Sequence, residues 1–163
     1  MELTAAIRAV ESSEAFKGFS KEHPKRYFAH AFSMERPEDP FRWQFGYYVP
    51  DIRKLFVFKA EPVEALPADD AYGETPIKRL DIKEIRVDTE QAKKLALDFK
   101  EQKFPAEQVT KVILIVQNLD RPLYNFTLVT STFNILNLRI DAKSGEVLSS
   151  EMHPIMSLRR DER

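Results

Sequence analysis

The stretch DTEQAKKLALDFKEQK, residues 88–103, decides the fold of this chain because it carries a helical pattern. Its apolar residues recur at the i, i+3, i+4, i+7 spacing that puts side chains on one face of a helix, at Ala92, Leu95, Ala96 and Phe99. Asp88 followed three residues later by Gln91 matches a capping box. Pro105 disfavours helix at the residue before it. The sequence therefore predicts a helix over about 88–103.

After this helix the pattern changes to that of β-strands. Residues 109–119 form a β-branched apolar run, residues 123–131 continue after a proline turn, and residues 135–140 alternate. Asp141 can close a turn on its own backbone, and Gly145 can adopt a positive φ, before a short strand restarts. A helix followed by an antiparallel meander predicts a sheet with the helix laid across one face.

The ending IDAKSGEVL, residues 140–148, resembles the end of a PepSY-type module. Such modules are small cystatin-like α+β units that finish in an aspartate, a short turn, Gly-Glu and an apolar pair. The resemblance covers residues 88–148 and implies a fold, with no shared catalytic residues to carry over. Members are often outside the cytoplasm, and some are linked with inhibiting or regulating peptidases.

The first half of the chain shows the same order of elements. A helical stripe predicts a helix over residues 3–17, and three strands are predicted at 25–34, 41–49 and 54–60. The two halves also match at a spacing of 81 residues. Trp43 and Phe45 correspond to Tyr124 and Phe126, and Leu55 and Val57 correspond to Leu136 and Leu138.

These patterns predict an α+β protein of two cystatin-like, PepSY-like repeats, each with one helix packed on an antiparallel β-meander. The first repeat spans residues 1–60 and the second spans residues 88–151. Residues 61–87 form an acidic, proline-rich connection with a short strand within 77–87, and residues 152–163 form a C-terminal tail with a frayed end.

Composition excludes several classes of function. The 163-residue chain has a formal net charge of −1, so it lacks the basic surface that nucleic-acid binding needs. It has no cysteine, no apolar run of the roughly 20 residues that span a bilayer, and no signal peptide. These features predict a cytoplasmic protein with no membrane span and no nucleic-acid partner.

The sequence identifies no catalytic, cofactor-binding or metal-binding residue. His23, His30 and His153 lack the spacing of metal ligands, and the four glycines are too far apart for a phosphate-binding loop. The acidic pair Asp69-Asp70, near Glu64 and Glu74, is better explained by a solvated connection than by a cation site. An enzyme is therefore disfavoured, although not excluded.

Aromatic residues provide the candidates for partner binding. The stripe of Phe41, Trp43, Phe45 and Tyr47 is interpreted as core rather than site, because a helix that crosses a sheet needs such a stripe. Phe56 and Phe58 alternate with Leu55 and Val57, and Val112, Leu114 and Val116 alternate with Ile113 and Ile115. Both faces of these two strands are therefore apolar and need a second cover, either the other repeat or a partner chain. The candidate partner-binding residues are Trp43, Tyr47, Phe56 and Phe58.

The leading hypothesis is a non-enzymatic binding or regulatory module. It would associate with a protein or peptide through an apolar sheet face or a strand edge, and a homodimer with a second copy is the simplest form of this association. The alternative is a small-molecule-binding protein or enzyme with a pocket between a helix and the curved sheet.

Overall fold

The computed structural model describes residues 1–71, 73 and 76–156, which contain three α-helices and nine β-strands. The helices are α1 (Leu3–Glu11), α2 (Glu14–Glu22) and α3 (Thr89–Lys103). The strands are β1 (Tyr27–Glu35), β2 (Gln44–Val49), β3 (Lys54–Ala60), β4 (Val63–Ala65), β5 (Asp69–Asp70), β6 (Val109–Asn118), β7 (Pro122–Thr130), β8 (Asn134–Asp141) and β9 (Val147–Pro154).

All nine strands belong to one antiparallel sheet, so the predicted α+β class is confirmed. The strand order is β4-β3-β2-β1-β6-β7-β8-β9, and the two-residue strand β5 also pairs with β3. Strands of the first half meet those of the second where β1 pairs with β6, with Ala31 opposite Val116. The two halves therefore lie edge to edge in a single sheet.

The three α-helices cover the same face of this sheet. Phe16 of α2 packs against Tyr47 and Phe58, with ring centroids 4.8 and 5.5 Å away. Ala92 and Ala96 of α3 are fully buried in the same hydrophobic core. The sheet side of this core contains large buried side chains from both halves, among them Phe45, Leu114, Phe126, Leu136, Leu138 and Ile140.

The prediction of a helix over 88–103 is confirmed, including both hydrogen bonds of the capping box between Asp88 and Gln91. Its buried face, however, is rotated from the expected one. Leu95 is 38% exposed, whereas Lys93 and Lys100 are only 7% exposed. The Nζ of Lys93 donates to the Asp39 carbonyl at 3.1 Å, and that of Lys100 to the Glu107 carbonyl at 2.6 Å. Each lysine buries its aliphatic part and satisfies its charged end at a carbonyl.

The single helix expected over 3–17 is wrong, because two helices meet at Ser12 and Ser13. Ser13 has extended backbone angles, and its Oγ accepts a hydrogen bond from the amide of Phe16. It therefore caps the start of α2, as serine commonly does. The break lets Phe16 and Phe19 reach the sheet from a second helix.

The connection over 61–87 is more ordered than predicted. Its first part forms β4 and β5, both of which pair with β3. The short strand expected within 77–87 is wrong, because a 3₁₀ helix, Ile82–Glu84, occurs there instead. Leu80 is 2% exposed and its amide donates to the carbonyl of Phe28, so this segment is packed against the sheet.

The turn after β8 forms as predicted. Oδ1 of Asp141 accepts hydrogen bonds from the amides of Lys143 and Ser144, and Gly145 has a φ of +79°. The strand that follows is longer than expected: β9 extends to Pro154, so the predicted boundary between residues 151 and 152 lies inside a strand. The predicted fraying at the end of the tail falls on residues 157–163, outside the described residues.

Candidate functional site

The four aromatic residues selected from the sequence lie on the helix-covered side of the sheet. Trp43, Tyr47 and Phe58 are each 2% exposed. Phe56 is partly buried, with its ring 4.8 Å from that of Phe19 and 4.9 Å from that of His23. Three of these side chains therefore belong to the core and offer no surface to a partner.

A different set of apolar side chains occupies the opposite face, which we call the helix-free face. Strand register places Phe32 opposite Ile115 and Met34 opposite Ile113 on this side, and Val57 lies opposite Gly46 on the neighbouring strands. Met34 is 50% exposed and the others are half-buried by their neighbours in the sheet. We define the apolar patch as Phe32, Met34, Val57, Ile113 and Ile115.

The signal for this patch was present in the sequence. Both faces of two predicted strands are apolar, and the patch residues of β3 and β6 belong to that alternation. Of the two covers suggested for it, the other repeat is ruled out for the described residues, because the two halves lie side by side in one sheet. The four aromatic candidates lie on the helix-covered face, and the apolar patch lies on the opposite one.

His30 adds a neutral ring to this surface. The imidazole lies directly on Gly46, since a Cβ built on that glycine would be 2.1 Å from the ring carbon Cε1. Burial lowers the pKa of His30 below its ordinary value of 6.5. The ring is consequently uncharged at neutral pH and is compatible with an apolar surface.

Charged side chains surround the patch on the same face, as the strand pairing shows. The basic residues are Lys59, Lys111 and Arg139, and the acidic residues are Glu64, Asp69 and Glu151. Lys59 and Glu64 form an ion pair at 3.8 Å. The rim of the face is therefore balanced in charge.

A hollow adjoins the apolar patch at the ends of β1, β2 and β3. It has a volume of about 220 Å³, and Phe32, Met34, Gln44 and Lys59 contribute to its lining. The exposed side chain of Met34 and this hollow lie on the same face. A protruding side chain and a recess are thus both available to a partner.

The described residues contain no group of three or more His, Asp or Glu side chains placed to hold a metal ion. In the acidic connection, Asp69 and Asp70 pair with Leu55 and Lys54 of β3, while Glu74 lies outside the described residues. Within the described part of the chain, no helix is long and apolar enough to cross a membrane.

Comparison with known proteins gives one structural likeness. No family model matches the sequence, and no curated protein matches it. A crystal structure from Clostridium difficile 630, described as a "putative lipoprotein", matches with a TM-score of 0.54 and 20% sequence identity. The match covers 86% of this chain and 91% of the clostridial protein. At this identity the likeness concerns the fold alone.

Proposed function

We propose that this protein is a non-enzymatic binding module that associates through the helix-free face of its sheet. The observation that carries the proposal is the apolar patch, which is continuous over β1 and β6 and extends to β3. An antiparallel sheet with one face open to water normally carries polar residues on that face. An exposed apolar patch on a folded domain is typical of an interaction surface.

The occupant that fits this face best is a second copy of the chain. A two-fold symmetric interface uses the same patch on both subunits, so a protruding side chain and a recess must lie close together on one surface. Met34 and the adjoining hollow meet that requirement. The rim has three basic and three acidic side chains, so opposite charges of the two subunits can meet across the two-fold axis of a dimer.

The size of the face is also suited to a dimer. The eight strands of the sheet order lie about 4.8 Å apart, and residues of one face repeat about every 6.8 Å, so three rows of side chains cover roughly 700 Å². A standard interface uses about 800 Å² on each partner. Sheet-on-sheet packing between two copies would therefore bury an area near that of a specific, reversible dimer.

The test compares Met34→Glu with Met156→Glu, because both methionines are exposed and only Met34 lies on the patch. Light scattering over a dilution series should give a mass near twice 19.0 kDa for the natural chain at high concentration. Met34→Glu should weaken the dimer by about tenfold or more, and Met156→Glu should leave it unchanged. A natural chain that stays monomeric at about 0.5 mM, or equal effects of the two substitutions, would overturn the dimer.

The proposal that the chain contains two PepSY-like repeats is supported by the order of its elements. Helices precede a four-stranded antiparallel meander in each half, two helices before β1–β4 and one before β6–β9, and the strand order is mirrored about the β1–β6 pair. Phe45 pairs with Phe58, and Phe126, 81 residues after Phe45, pairs with Leu138.

The residues of β3 that correspond to residues of β8 in the structure differ from those that the 81-residue spacing predicts. Val57 was matched with Leu138, but Val57 lies on the helix-free face and Leu138 is buried under the helices. The pairing instead makes Phe58 the counterpart of Leu138. The repeats would therefore differ by one residue in the turn between their second and third strands.

Two locations are proposed for the protein. The absence of cysteine favours the cytoplasm. The description of the clostridial protein as a lipoprotein favours attachment to the outer side of a membrane. Fractionation of cells that express the natural gene separates these two proposals.

A further inference from the structure

The two outer strands of the sheet differ in how well their edges are protected. At one end of the strand order, β4 has three residues and is flanked by Pro62 and Pro67. At the other end, β9 has eight residues, and in the part of the chain that the structure describes no strand pairs with its outer side. Short edge strands and prolines prevent a further strand from pairing. Of the two edges, that of β9 is therefore the one suited to a partner strand.

The backbone groups that point out of this edge follow from the pairing of β9 with β8. The amide of Ile155 donates to the carbonyl of Phe133, which sets the alternation of hydrogen-bonded pairs along the two strands. By that alternation, three residues direct their N–H and C=O groups to β8, namely Ser149, Glu151 and His153. The N–H and C=O groups of Ser150 and Met152 consequently point outwards, where an added strand would bond to them.

Apolar side chains lie beside this edge on the helix-covered side of the sheet. We define the apolar shelf as Leu95 and Phe99 of α3 with Val147 and Met152 of β9. Leu95 is 38% exposed, and the other three are partly buried against the core. Leu95 lies next to the β8–β9 turn, because a Cβ built on Gly145 would be 3.3 Å from its Cδ1. The shelf therefore offers apolar contacts to every second side chain of a strand added to β9.

A second copy of β9 fits this edge poorly. Antiparallel pairing about a two-fold axis that uses all of residues 149–153 places Glu151 directly opposite Glu151 of the other copy. Like charges directly opposite each other on neighbouring strands are destabilising. The side chain of Glu151 is 69% exposed, and its carboxylate contacts Nε2 of His153 at 3.1 Å. A different strand with a basic residue at the opposing position would turn this repulsion into attraction.

We propose that β9 binds an extended segment of another polypeptide, in which apolar residues alternate with polar ones and include a basic residue. The backbone of the segment bonds to Ser150 and Met152, as in other complexes in which a peptide adds a strand to a sheet. Its apolar side chains contact the shelf, and its basic side chain lies on the other side of the sheet, near Glu151. The shelf and the apolar patch lie on opposite sides of the sheet, so peptide binding and dimerisation are measured with separate substitutions.

An NMR titration of the full chain with the peptide acetyl-Ser-Val-Lys-Ile-Lys-Val-Ser-amide tests this proposal. The peptide should bind with a dissociation constant of about 1 mM or better. The amides of Ser150 and Met152 should then exchange hydrogen more slowly, because they donate to the bound peptide. Absence of binding, or binding that leaves both exchange rates unchanged, would overturn the proposal.

Two matched peptides separate the contributions of the backbone and of the charge. The same peptide with its central amides N-methylated keeps every side chain and loses the backbone donors, so it should bind about tenfold more weakly or worse. Replacement of both lysines by glutamate should weaken binding about fivefold or more, because it restores the repulsion at Glu151. Equal binding of the methylated peptide would rule out strand addition, and equal binding of the glutamate peptide would rule out the basic residue.

Substitutions in the protein locate the site. Ser150→Pro removes an outward donor without removing a bond to β8, and Leu95→Gln reduces the apolar shelf. Each should weaken the lysine peptide about tenfold. Leu97→Gln makes the same change on the opposite flank of α3 and should have no effect. Thermal unfolding of each variant establishes that it is folded.

Two results with these variants would contradict the assignment. If folded Ser150→Pro and Leu95→Gln bind the lysine peptide as the natural chain does, the peptide does not bind at β9. If Ser150→Pro instead lowers the mass of the natural assembly in light scattering, the edge of β9 is occupied by a second copy and the proposed partner is wrong.

Discussion

His30 is a residue whose environment makes the stability of the folded protein depend on pH. Its ring occupies the space above Gly46 that a Cβ would fill, and burial lowers its pKa from the ordinary value of 6.5. No charged neighbour is among the causes of the shift, so loss of hydration alone disfavours the imidazolium. The folded protein therefore binds a proton at His30 less readily than the unfolded chain does.

This difference predicts how stability changes with pH. Above pH 6.5 the ring is neutral in both states and has no effect, whereas below it the unfolded chain takes up the proton first. The free energy of unfolding should fall as pH drops from 6.5 towards the lower folded pKa, with a slope of at most about 1.4 kcal/mol per pH unit.

Urea unfolding of the natural chain and of His30→Phe between pH 7.5 and 5.5 measures this contribution. The variant keeps a ring over Gly46 and has no titrating group, so its stability should depend less on pH in this window. Because protein concentration alters the stability of a dimer, both chains are compared at one low concentration. Parallel pH profiles for the two chains would contradict the assignment to His30.

Residue by residue, the sequence predicted helix α3 well but misplaced two of its side chains. The capping box and the apolar spacing are local features, and both were correctly interpreted. The burial of Lys93 and Lys100 depends on carbonyls of Asp39 and Glu107, which come from elsewhere in the chain. The spacing of apolar residues predicts that a lysine is exposed. It contains no information about a carbonyl acceptor that comes from a distant part of the chain.

At the scale of elements, two glycines experience opposite constraints. Gly145 closes the turn between β8 and β9 with a φ of +79°, which residues with a Cβ rarely adopt, and its Cβ would meet Leu95 at 3.3 Å. Gly18 lies inside α2, where an added Cβ would meet nothing within 4 Å. The turn requires a glycine, and the helix does not.

The same substitution should therefore have opposite effects at these positions. Gly145→Ala should lower the free energy of unfolding by about 1–2 kcal/mol, through the left-handed backbone conformation and the contact with Leu95. Gly18→Ala should raise it by roughly 0.5–1 kcal/mol, since alanine has the higher helix propensity. Chemical denaturation of both variants measures this, and a stabilising Gly145→Ala would disprove the role given to the turn.

Element by element, the sequence located most strands to within a few residues because their alternation is regular. It missed the break between α1 and α2, since residues 11–15 contain no glycine or proline to mark it. It also treated the acidic connection as unpaired. The pairing of β4 and β5 with β3 depends on the edge of a sheet that exists only after the other strands assemble.

For the whole molecule, the decisive feature is the antiparallel pairing of β1 with β6. Six residue pairs join these strands, from His30 opposite Gln117 to Glu35 opposite Val112. The sequence indicated that surplus apolar surface needs a cover, but a repeat pattern does not say whether two units stack or join at their edges. Edge pairing leaves the helix-free face open, and the candidate surface follows from that arrangement.

Continuity of the sheet also predicts that both halves unfold together. Ala31 of β1 is fully buried between Phe45 of β2 and Val116 of β6, so neither half can lose this strand alone. A single transition of 163 residues has an unfolding enthalpy of about 110 kcal/mol near 60 °C, and separate units would each give about half. The calorimetric and van't Hoff enthalpies should therefore agree.

Fluorescence of Trp43, the single tryptophan, follows the first half, and hydrogen exchange of β7 and β8 amides follows the second. Both probes should give one midpoint in denaturant. Ala31→Asp places a charge in the joint core and should shift both midpoints equally, whereas Ala5→Asp, on the exposed side of α1, should shift neither by much. Two separate midpoints, or a shift confined to Trp43, would mean that the β1–β6 pairing does not couple the halves.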